Sequence, residues 1–358
     1  MNGEAVTSQQ KSSVKPAAAG ASTSEVKAKR RTKVRNASIT AGFVHLALLG
    51  VISWGNSEGP ERAWWSTLNL YVPQLLWALP AFILLPFVAV VARKWIWLPL
   101  IALLWVAVPL MGFHWNSPDT RLFDTRPRLR VMTYNVGGQP NHMLVADEIE
   151  KAHPDVLFLQ EALSQPSFLN EDWYVAGPFG GSLIAARMPL TDVEDRVLRN
   201  APDWRRYVRC KIEVSSIPIT LYGLHLDTPR EALASLRERK LAGIEGIEND
   251  AMTRLFRAAG VAESLRRESG SVIVAGDLNV PEQSMICRTL ERTGLRDAFA
   301  EGGRGYGYTY GHDTRVGISY VRIDHILVGK SLKVGTCLTG GSDGSDHRPV
   351  IADLYIVK

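Results

Sequence analysis

Cysteine is scarce in this chain of 358 residues, with only Cys210, Cys287 and Cys337 present. No two of them form a Cys-x-x-Cys pair, which argues against a zinc cluster or a dithiol redox site. We expect three small, buried, apolar side chains. A single disulfide stays open if the domain is extracytoplasmic, but the sequence does not choose the pair.

A broad excess of basic charge is also missing from the larger part of the chain. The net charge of +5 comes from the first 36 residues, which hold eight Lys and Arg against two Glu. From His114 onward there are 30 Lys and Arg against 32 Asp and Glu, a balance near −2. This part therefore lacks the basic footprint of many nucleic-acid-binding domains. A bound divalent cation would supply positive charge locally, so nucleic acid stays open as a substrate.

Charged residues are nearly absent from three long apolar runs near the N-terminus. A helix needs about 20 apolar residues to cross a bilayer. The runs therefore predict transmembrane helices at about 38–54, 68–92 and 95–113, which together form a membrane domain over 38–113. Residues 1–37 are rich in Ala, Ser and Lys without apolar periodicity, and we expect a disordered basic tail there.

Aromatic residues at the ends of these runs support a bilayer partner. Amphipathic rings favour the head-group region, and prolines inside the second run are tolerated in membrane bundles but break soluble helices. A cleaved signal peptide fits poorly, because the first run starts far from Met1 and two further runs follow. No obligate protein partner can be inferred. The flanking aromatic residues are Trp54, Trp64, Trp65, Tyr71, Trp95, Trp97 and Trp115.

The distribution of Lys and Arg predicts an orientation. The basic tail and the Arg93-Lys94 pair flank the membrane on one side, whereas residues 55–67 carry Arg62 as their only basic residue. Under the positive-inside rule the tail is cytoplasmic. We therefore expect an integral protein of the plasma (inner) membrane, with its C-terminal domain outside the cytoplasm, or in the periplasm where an outer membrane exists.

After a polar linker over 114–128, the pattern in 129–358 becomes rich in strands with helices between them. Two facing mixed sheets with helices outside would bury such apolar runs. We expect helices near 143–151, 230–247, 251–267 and 284–293. The predicted strands are 129–134, 155–159, 182–186, 207–214, 217–226, 271–275, 321–328 and 350–357.

Acidic residues and a histidine lie near the ends of several predicted strands. Glu161 follows one strand, Asp277 and Asn279 follow another, and Asp346 and His347 precede the last strand. Carboxylates gathered at strand ends form an oxygen-rich site for a hard cation such as Mg²⁺. A neighbouring Asp–His pair can move protons at neutral pH. This combination favours metal-assisted cleavage of a phosphoester.

Six short segments in this order resemble the endonuclease/exonuclease/phosphatase superfamily, which includes pancreatic deoxyribonuclease and neutral sphingomyelinases. The resemblance spans Arg130 to about Val357 and suggests a bacterial-type, membrane-anchored member. It implies an α/β fold, a four-layer α/β/β/α sandwich, here preceded by three transmembrane helices. The segments are Met132-Thr133-Tyr134-Asn135, Leu159-Gln160-Glu161, Gly223-Leu224-His225, Gly276-Asp277-Leu278-Asn279, Arg322-Ile323-Asp324-His325 and Ser345-Asp346-His347.

The resemblance implies a metal shell of Glu161, Asn135 and Asp346 that holds Mg²⁺, with Mn²⁺ as a substitute. It makes Asp277 the group that activates water and Asn279 a hydrogen-bond donor to the phosphate. Extended backbone would turn both side chains to one face. A plain Asx turn is the alternative for this pair.

The same resemblance pairs Asp324 with His347, so that the carboxylate orients the imidazole beside the scissile phosphate. It makes His225 a candidate acid for the leaving oxygen, with a structural core histidine as the alternative. His325 alternates to the opposite face of its strand, and we expect a structural role for it.

Arg205, Arg206 and Arg209 form a basic cluster that could contact substrate phosphate, although a solvated strand edge is the common alternative. The sequence thus predicts a Mg²⁺-dependent phosphodiesterase or nuclease that acts outside the cytoplasm by in-line attack of water. Alternatives are a sphingomyelinase-like lipid-head-group phosphodiesterase, a phosphomonoesterase, or an inactive membrane-bound binding module.

Overall fold

The structure is a computed structural model, and it describes residues 23–117, 126–137, 140–202, 205–239, 243–315 and 317–357. The first 22 residues of the predicted tail and residues 118–125 of the predicted linker lie outside the described residues.

The N-terminal part is helical. Its helices are α1 (Thr23–Glu58), α2 (Trp64–Tyr71), α3 (Leu79–Val91) and α4 (Trp97–Trp105). Short helical turns extend α3 and α4, so that three segments are long and apolar enough to cross a membrane: Thr23–Glu58, Gln74–Val91 and Arg93–Leu110. This count agrees with the three spans predicted from the sequence.

The structure corrects the boundaries of the predicted tail and of the second span. Helix α1 begins at Thr23, inside the tail predicted to be disordered. Its basic half contains Lys, Arg and Ala, which favour helix, and it continues an apolar helix without a new nucleation step. Residues 68–71 belong to the separate helix α2 rather than to the second span, and Pro73 follows it.

The C-terminal part contains two six-stranded mixed sheets. One has the strand order β10-β12-β9-β8-β7-β6 and the other has the order β13-β14-β2-β3-β5-β4. A third, two-stranded sheet joins β1 (His114–Trp115) to β11 (Arg304–Gly305). The remaining strands are β2 (Arg128–Asn135), β3 (Val156–Gln160), β4 (Tyr174–Phe179), β5 (Ser182–Ala186), β6 (Thr191–Val197), β7 (Arg206–Val214), β8 (Ile217–His225), β9 (Ser271–Asp277), β10 (Arg296–Asp297), β12 (Asp324–Val328), β13 (Leu332–Thr339) and β14 (Val350–Ile356).

The two large sheets face each other across one apolar core, as expected for a four-layer sandwich. Alternate residues of β2, β3, β7, β8 and β9 fill this core, including Val131, Phe158 and Leu221. Helix α5 (His142–Ala152) covers the outer face of one sheet. Helices α7 (Ile244–Arg266) and α8 (Met285–Glu291) cover the other. The remaining helices are α6 (Arg230–Arg239) and α9 (Ala298–Gly302).

All three cysteines are buried and free. Burial raises the pKa of the Cys210 thiol to about 12, which disfavours the reactive thiolate. The three thiols are thus small core side chains, as the sequence predicts.

Candidate functional site

The strand register brings the predicted residues to one edge of the sandwich. The parallel strands β2 and β3 pair Asn135 with Gln160, so Glu161 follows directly at that edge. In the facing sheet, Asp277 pairs with His225 on one side and with Asp324 on the other. Residues far apart in sequence therefore meet at the ends of adjacent strands.

Asp277 is a buried carboxylate at this edge, with 1% of its surface exposed. Its Oδ1 accepts a 2.8 Å hydrogen bond from the backbone N–H of Asn279, and its Oδ2 accepts from the Asn135 amide at 3.0 Å. Burial, reinforced by the nearby Asp324 carboxylate, raises the pKa of Asp277 to about 7. The residue can therefore gain and lose a proton near neutral pH.

The backbone around Asp277 requires glycine on one side and a left-handed residue on the other. Gly276 has a φ of 149°, and a Cβ there would overlap the carbonyl oxygen of Leu224. Asn279 has a φ of 54°, so the expectation of extended backbone is wrong. An Asx turn instead directs the Asn279 amide to Asp277 Oδ2 at 3.2 Å and to the Leu226 carbonyl at 2.9 Å. Asn279 thus holds Asp277 in place.

His347 and Asp324 form a buried pair beside Asp277. Nδ1 of His347 donates to Asp324 Oδ2 at 2.8 Å, and its Nε2 lies 3.9 Å from Asp277 Oδ2. Burial alone would lower the pKa of His347, but the carboxylates of Asp324 and Asp277 raise it to about 10. The imidazole therefore carries a positive charge at neutral pH.

Glu161 is the exposed carboxylate of the site, with 45% of its side chain accessible. It lies over Gly137, where a Cβ would overlap the carboxylate. The Asn135 amide, 1% exposed, donates to Glu161 Oε1 at 3.3 Å, while its own Oδ1 accepts from the Gly137 N–H at 2.8 Å. Asn135 therefore bridges Glu161 and Asp277.

His225 lies between these two carboxylates. Its Nε2 is 3.9 Å from Glu161 Oε1 and 3.8 Å from Asp277 Oδ2. Burial lowers the pKa of His225 although Glu161 opposes the shift, so the ring is neutral at pH 7. It belongs to the site rather than to the core, but a neutral imidazole is a weak proton donor.

The structure does not bring the three arginines together at the site. Arg205 lines the cleft and pairs with Asp227 at 2.8 Å. Arg209 is 7% exposed and is bound by Glu268 and Glu194, and Arg206 pairs with Asp195 at 2.6 Å. Arg206 and Arg209 are thus engaged by structural carboxylates.

Two further predicted residues lie beside the cluster. The Ser345 hydroxyl donates to the Asn135 carbonyl at 2.8 Å, and its oxygen lies 3.2 Å from the Asp346 carboxylate. His325 is 1% exposed, with Nδ1 3.0 Å from Asp297 Oδ2 and Nε2 2.9 Å from the Val280 carbonyl. These contacts give His325 the structural role that the sequence predicts.

A cleft of about 360 Å³ opens onto these groups. Tyr310 and Tyr71 line it, although no sequence motif marks either residue. The Tyr310 ring centroid lies 4.9 Å from that of His347, and Tyr71 comes from helix α2 in the N-terminal part. The other lining residues are Glu161, Arg205, His225, Thr228, Pro229, Arg230, Leu233, Asp277, Asn279, Thr314, Tyr320, Val321, Ile323 and His347.

The donor atoms fit a hard divalent cation. Ligand atoms of Asp277, Asp324 and His347 lie within 4.8 Å of one another. Nδ1 of His347 is bonded to Asp324 at 2.8 Å, however, and both carboxylates of this group are buried. The accessible Glu161 carboxylate, next to Asn135, is the better ligand, since Mg²⁺ binds through one or two carboxylates and keeps several waters.

Comparisons with known proteins identify the fold. A structure of an endonuclease/exonuclease/phosphatase family protein from Bacteroides thetaiotaomicron matches with a TM-score of 0.50 and 18% identity, covering 65% of this chain and 100% of that chain. A family protein from Leptotrichia buccalis gives 0.47 and 17%, covering 64% and 100%. Truncated TDP2 from Caenorhabditis elegans gives 0.47 and 19%, covering 64% and 98%.

The family model provides the assignment. A search of curated proteins finds no match. The model for the Endonuclease/Exonuclease/phosphatase family matches residues 132–347, which include every residue predicted to be catalytic or to bind the metal. Members of this family are metal-dependent phosphoester hydrolases. The chain therefore belongs to the endonuclease/exonuclease/phosphatase family.

Proposed function

We propose that this protein is a membrane-anchored, divalent-metal-dependent phosphodiesterase that acts outside the cytoplasm. The observation that carries the proposal is the convergence of Asp277, His347 and Glu161 on one cleft. The three apolar helices and the Lys/Arg bias of their flanks support the anchor and the orientation in the plasma membrane.

Asp277 is the base in this proposal. Its ionised form, held by Asn135 and Asn279, accepts a proton from the attacking water, and a pKa near 7 suits that exchange. His347 then donates a hydrogen bond to a phosphate oxygen and offsets its negative charge, while Asp324 keeps the imidazole charged and oriented. The neutral His225 orients the substrate.

Glu161, oriented by Asn135, would hold Mg²⁺ or Mn²⁺. When bound, the cation neutralises charge on the phosphate and on the leaving oxygen. Asp346 does not line the cleft. This proposal keeps it as a member of the metal shell that the family resemblance implies.

A phosphodiester fits the site better than a phosphomonoester. A second cavity of about 530 Å³ adjoins the cleft, and Glu161, Arg205 and His225 line both. A phosphate bound beside these residues has room for a substituent on each side. Both nucleic acid, which the sequence favours, and lipid head groups meet this requirement.

The test uses the full-length chain in detergent with bis(p-nitrophenyl) phosphate as substrate. We expect hydrolysis that requires Mg²⁺ or Mn²⁺ and stops on addition of EDTA. Asp277→Ala should reduce kcat by about 10²–10⁴-fold, the range for loss of a general base. Asp192→Ala, a substitution in an exposed ion pair on β6, serves as the control. Turnover in Asp277→Ala equal to that of the wild type would refute the proposal.

A further inference from the structure

Among the residues that the structure describes, the membrane helices meet the catalytic domain at one end of the bundle, the end predicted to lie outside the cytoplasm. The contacts come from the last turn of α1, from the residues between α1 and the second span, and from residues after the third span. Most of them reach residues 282–288, in the segment that follows Asp277 and Asn279. They join Glu61 to Ser284 and Met285, Arg288 to the carbonyls of Asn56 and Ser57, His114 to Glu282, and Tyr308 to the Met111 carbonyl.

Tyr71 makes the contact closest to the chemistry. Its hydroxyl donates to the Asn279 carbonyl at 3.3 Å and accepts from Nη1 of Arg254 at 2.8 Å. Arg254 is 2% exposed and is fixed by Asp250 at 2.8 Å. A buried cation therefore holds the phenol against the turn that positions Asp277, and the ring forms part of the cleft wall.

The same residue lies close to the membrane surface. The second candidate span begins at Gln74, three residues after Tyr71, so the connecting backbone spans at most about 10 Å. Helix α2 is also tied to this span, because the Trp77 indole donates to Asn69 Oδ1 at 2.8 Å. The head-group layer on each side of a bilayer is roughly 5–7 Å thick. The cleft wall at Tyr71 is therefore within reach of lipid head groups.

We propose that residues 59–73 complete the active site, that Tyr71 is a positioning residue in its wall, and that the site takes its phosphodiester from lipid head groups of the adjoining leaflet. This inference rests on the proposed function and specifies its substrate class. The catalytic cleft and the bilayer share one structural element, so a substrate anchored in the leaflet is held beside Asp277.

The chemistry of the cleft agrees with a lipid substrate. Leu233, Val321 and Ile323 give the cleft an apolar part of its lining, and Arg230 adds positive charge to the same wall. A nucleic acid would instead require a basic surface extending along its backbone. Arg206 and Arg209 do not contribute to such a surface, because each forms an ion pair with a carboxylate.

The test compares three substrates with the full-length chain reconstituted into vesicles of phosphatidylcholine, phosphatidylethanolamine and phosphatidylglycerol. Release of phosphorylated head group is measured by mass spectrometry, alongside turnover of single-stranded DNA and of bis(p-nitrophenyl) phosphate. We expect lipid to be cleaved with a higher kcat/KM than DNA. Tyr71→Ala should raise the KM for vesicle lipid at least about tenfold more than the KM for bis(p-nitrophenyl) phosphate, because it removes the wall facing the bilayer.

Two further variants serve as controls for this test. Tyr71→Phe keeps the ring and should restore the KM for lipid, while its lost hydrogen bond to the Asn279 carbonyl leaves kcat lower on all substrates. Trp54→Ala removes another aromatic side chain near the same end of the bundle, 61% exposed and outside the cleft lining, and should match the wild type.

The outcomes separate the two proposals. Absence of any hydrolysis would defeat the proposed function itself. Hydrolysis of DNA or bis(p-nitrophenyl) phosphate without release of lipid head group would overturn only the inference about substrate. If Tyr71→Ala changes the KM for lipid and the KM for soluble substrate equally, Tyr71 is not a positioning residue for the lipid substrate. If Tyr71→Ala fails to fold, the inference is tested by Tyr71→Phe and by the preference of the wild type for lipid over DNA.

Discussion

The carboxylate of Asp324 is wholly buried, and its Oδ2 accepts a 2.8 Å hydrogen bond from Nδ1 of His347. The other carboxylate oxygen, Oδ1, has no hydrogen-bond partner among the described residues. A buried, under-bonded carboxylate next to an imidazole favours the charged imidazolium strongly. The pair therefore explains how a histidine in a buried position stays protonated at neutral pH.

The first prediction follows from this pair. In Asp324→Asn the negative charge is lost, and the pKa of His347 should fall from about 10 toward or below its ordinary value of 6.5. If catalysis needs the imidazolium, the wild type keeps its activity to about pH 10, whereas the variant loses activity as pH rises through about 6.5. The measurement is the pH profile of kcat on bis(p-nitrophenyl) phosphate. An alkaline limit that does not move would show that the charge of His347 is not required.

Sequence patterns predict the central chemistry of this site because each motif is tied to a strand end. Asp277 and Asp324 are separated by two helices and two short strands, yet antiparallel pairing of β9 with β12 places them opposite each other. Alternation along the strand also predicts that His325 faces away from the cleft. Short-range rules therefore identify which side chains converge, once the strands are correctly placed.

The same rules miss whatever depends on tertiary contacts. The sequence predicts that Tyr71 is an aromatic residue at the membrane interface. Only the docking of α2 onto α7 brings it to Asn279, 208 positions away. The sequence leaves open whether Arg209 contacts substrate phosphate or lies at a solvated strand edge, but its partner Glu268 lies beyond the end of a helix 59 positions later. Strand β6, Thr191–Val197, escapes prediction because its edge position lets it carry four charged residues in seven.

The second prediction concerns metal affinity. Asn135 bridges Glu161 and Asp277, so Asn135→Ala should release the Glu161 carboxylate without removing it. Loss of such an orienting partner weakens metal binding by about 10–100-fold. We expect the Mg²⁺ concentration for half-maximal activity to rise by that factor, with activity partly recovered at high Mg²⁺. Asn170→Ala, an exposed amide on the loop after Glu161, is the control and should leave the Mg²⁺ titration unchanged.

The third prediction concerns acid stability. Asp297 caps α9 through the N–H groups of Phe299 and Ala300, and its Oδ2 accepts from Arg322 at 2.7 Å. Burial alone would raise the pKa of Asp297, but Arg322 and His325 hold it well below the ordinary value of 3.8. A depressed carboxyl pKa stabilises the fold above about pH 4, and this contribution is lost as pH falls below it.

Asp297→Asn removes this contribution and should cost roughly 1.5–3 kcal/mol at neutral pH, because the buried Arg322 loses one of its two carboxylate partners and keeps only Glu282. We expect the difference in Tm between wild type and variant to shrink as the pH is lowered from 6 to about 3. Asp192→Asn, in an exposed pair with Lys211, should leave Tm nearly unchanged. A difference in Tm between wild type and Asp297→Asn that stays constant with pH would contradict the role of Asp297 in acid stability.

The fourth prediction tests the docking of the membrane helices on the catalytic domain. Glu61 is 1% exposed, and its carboxylate accepts from the Ser284 hydroxyl and from the Met285 N–H at 2.9 Å. Glu61→Ala leaves both donors buried without this partner, a loss of about 1–3 kcal/mol. The segment between Asp277 and Ser284 should loosen as a result, so that kcat falls together with Tm. Glu58→Ala, in an exposed pair with Arg62 at 4.0 Å, should change neither. A catalytic rate in Glu61→Ala equal to that of the wild type, with Tm lowered, would show that docking stabilises the protein without positioning the catalytic turn.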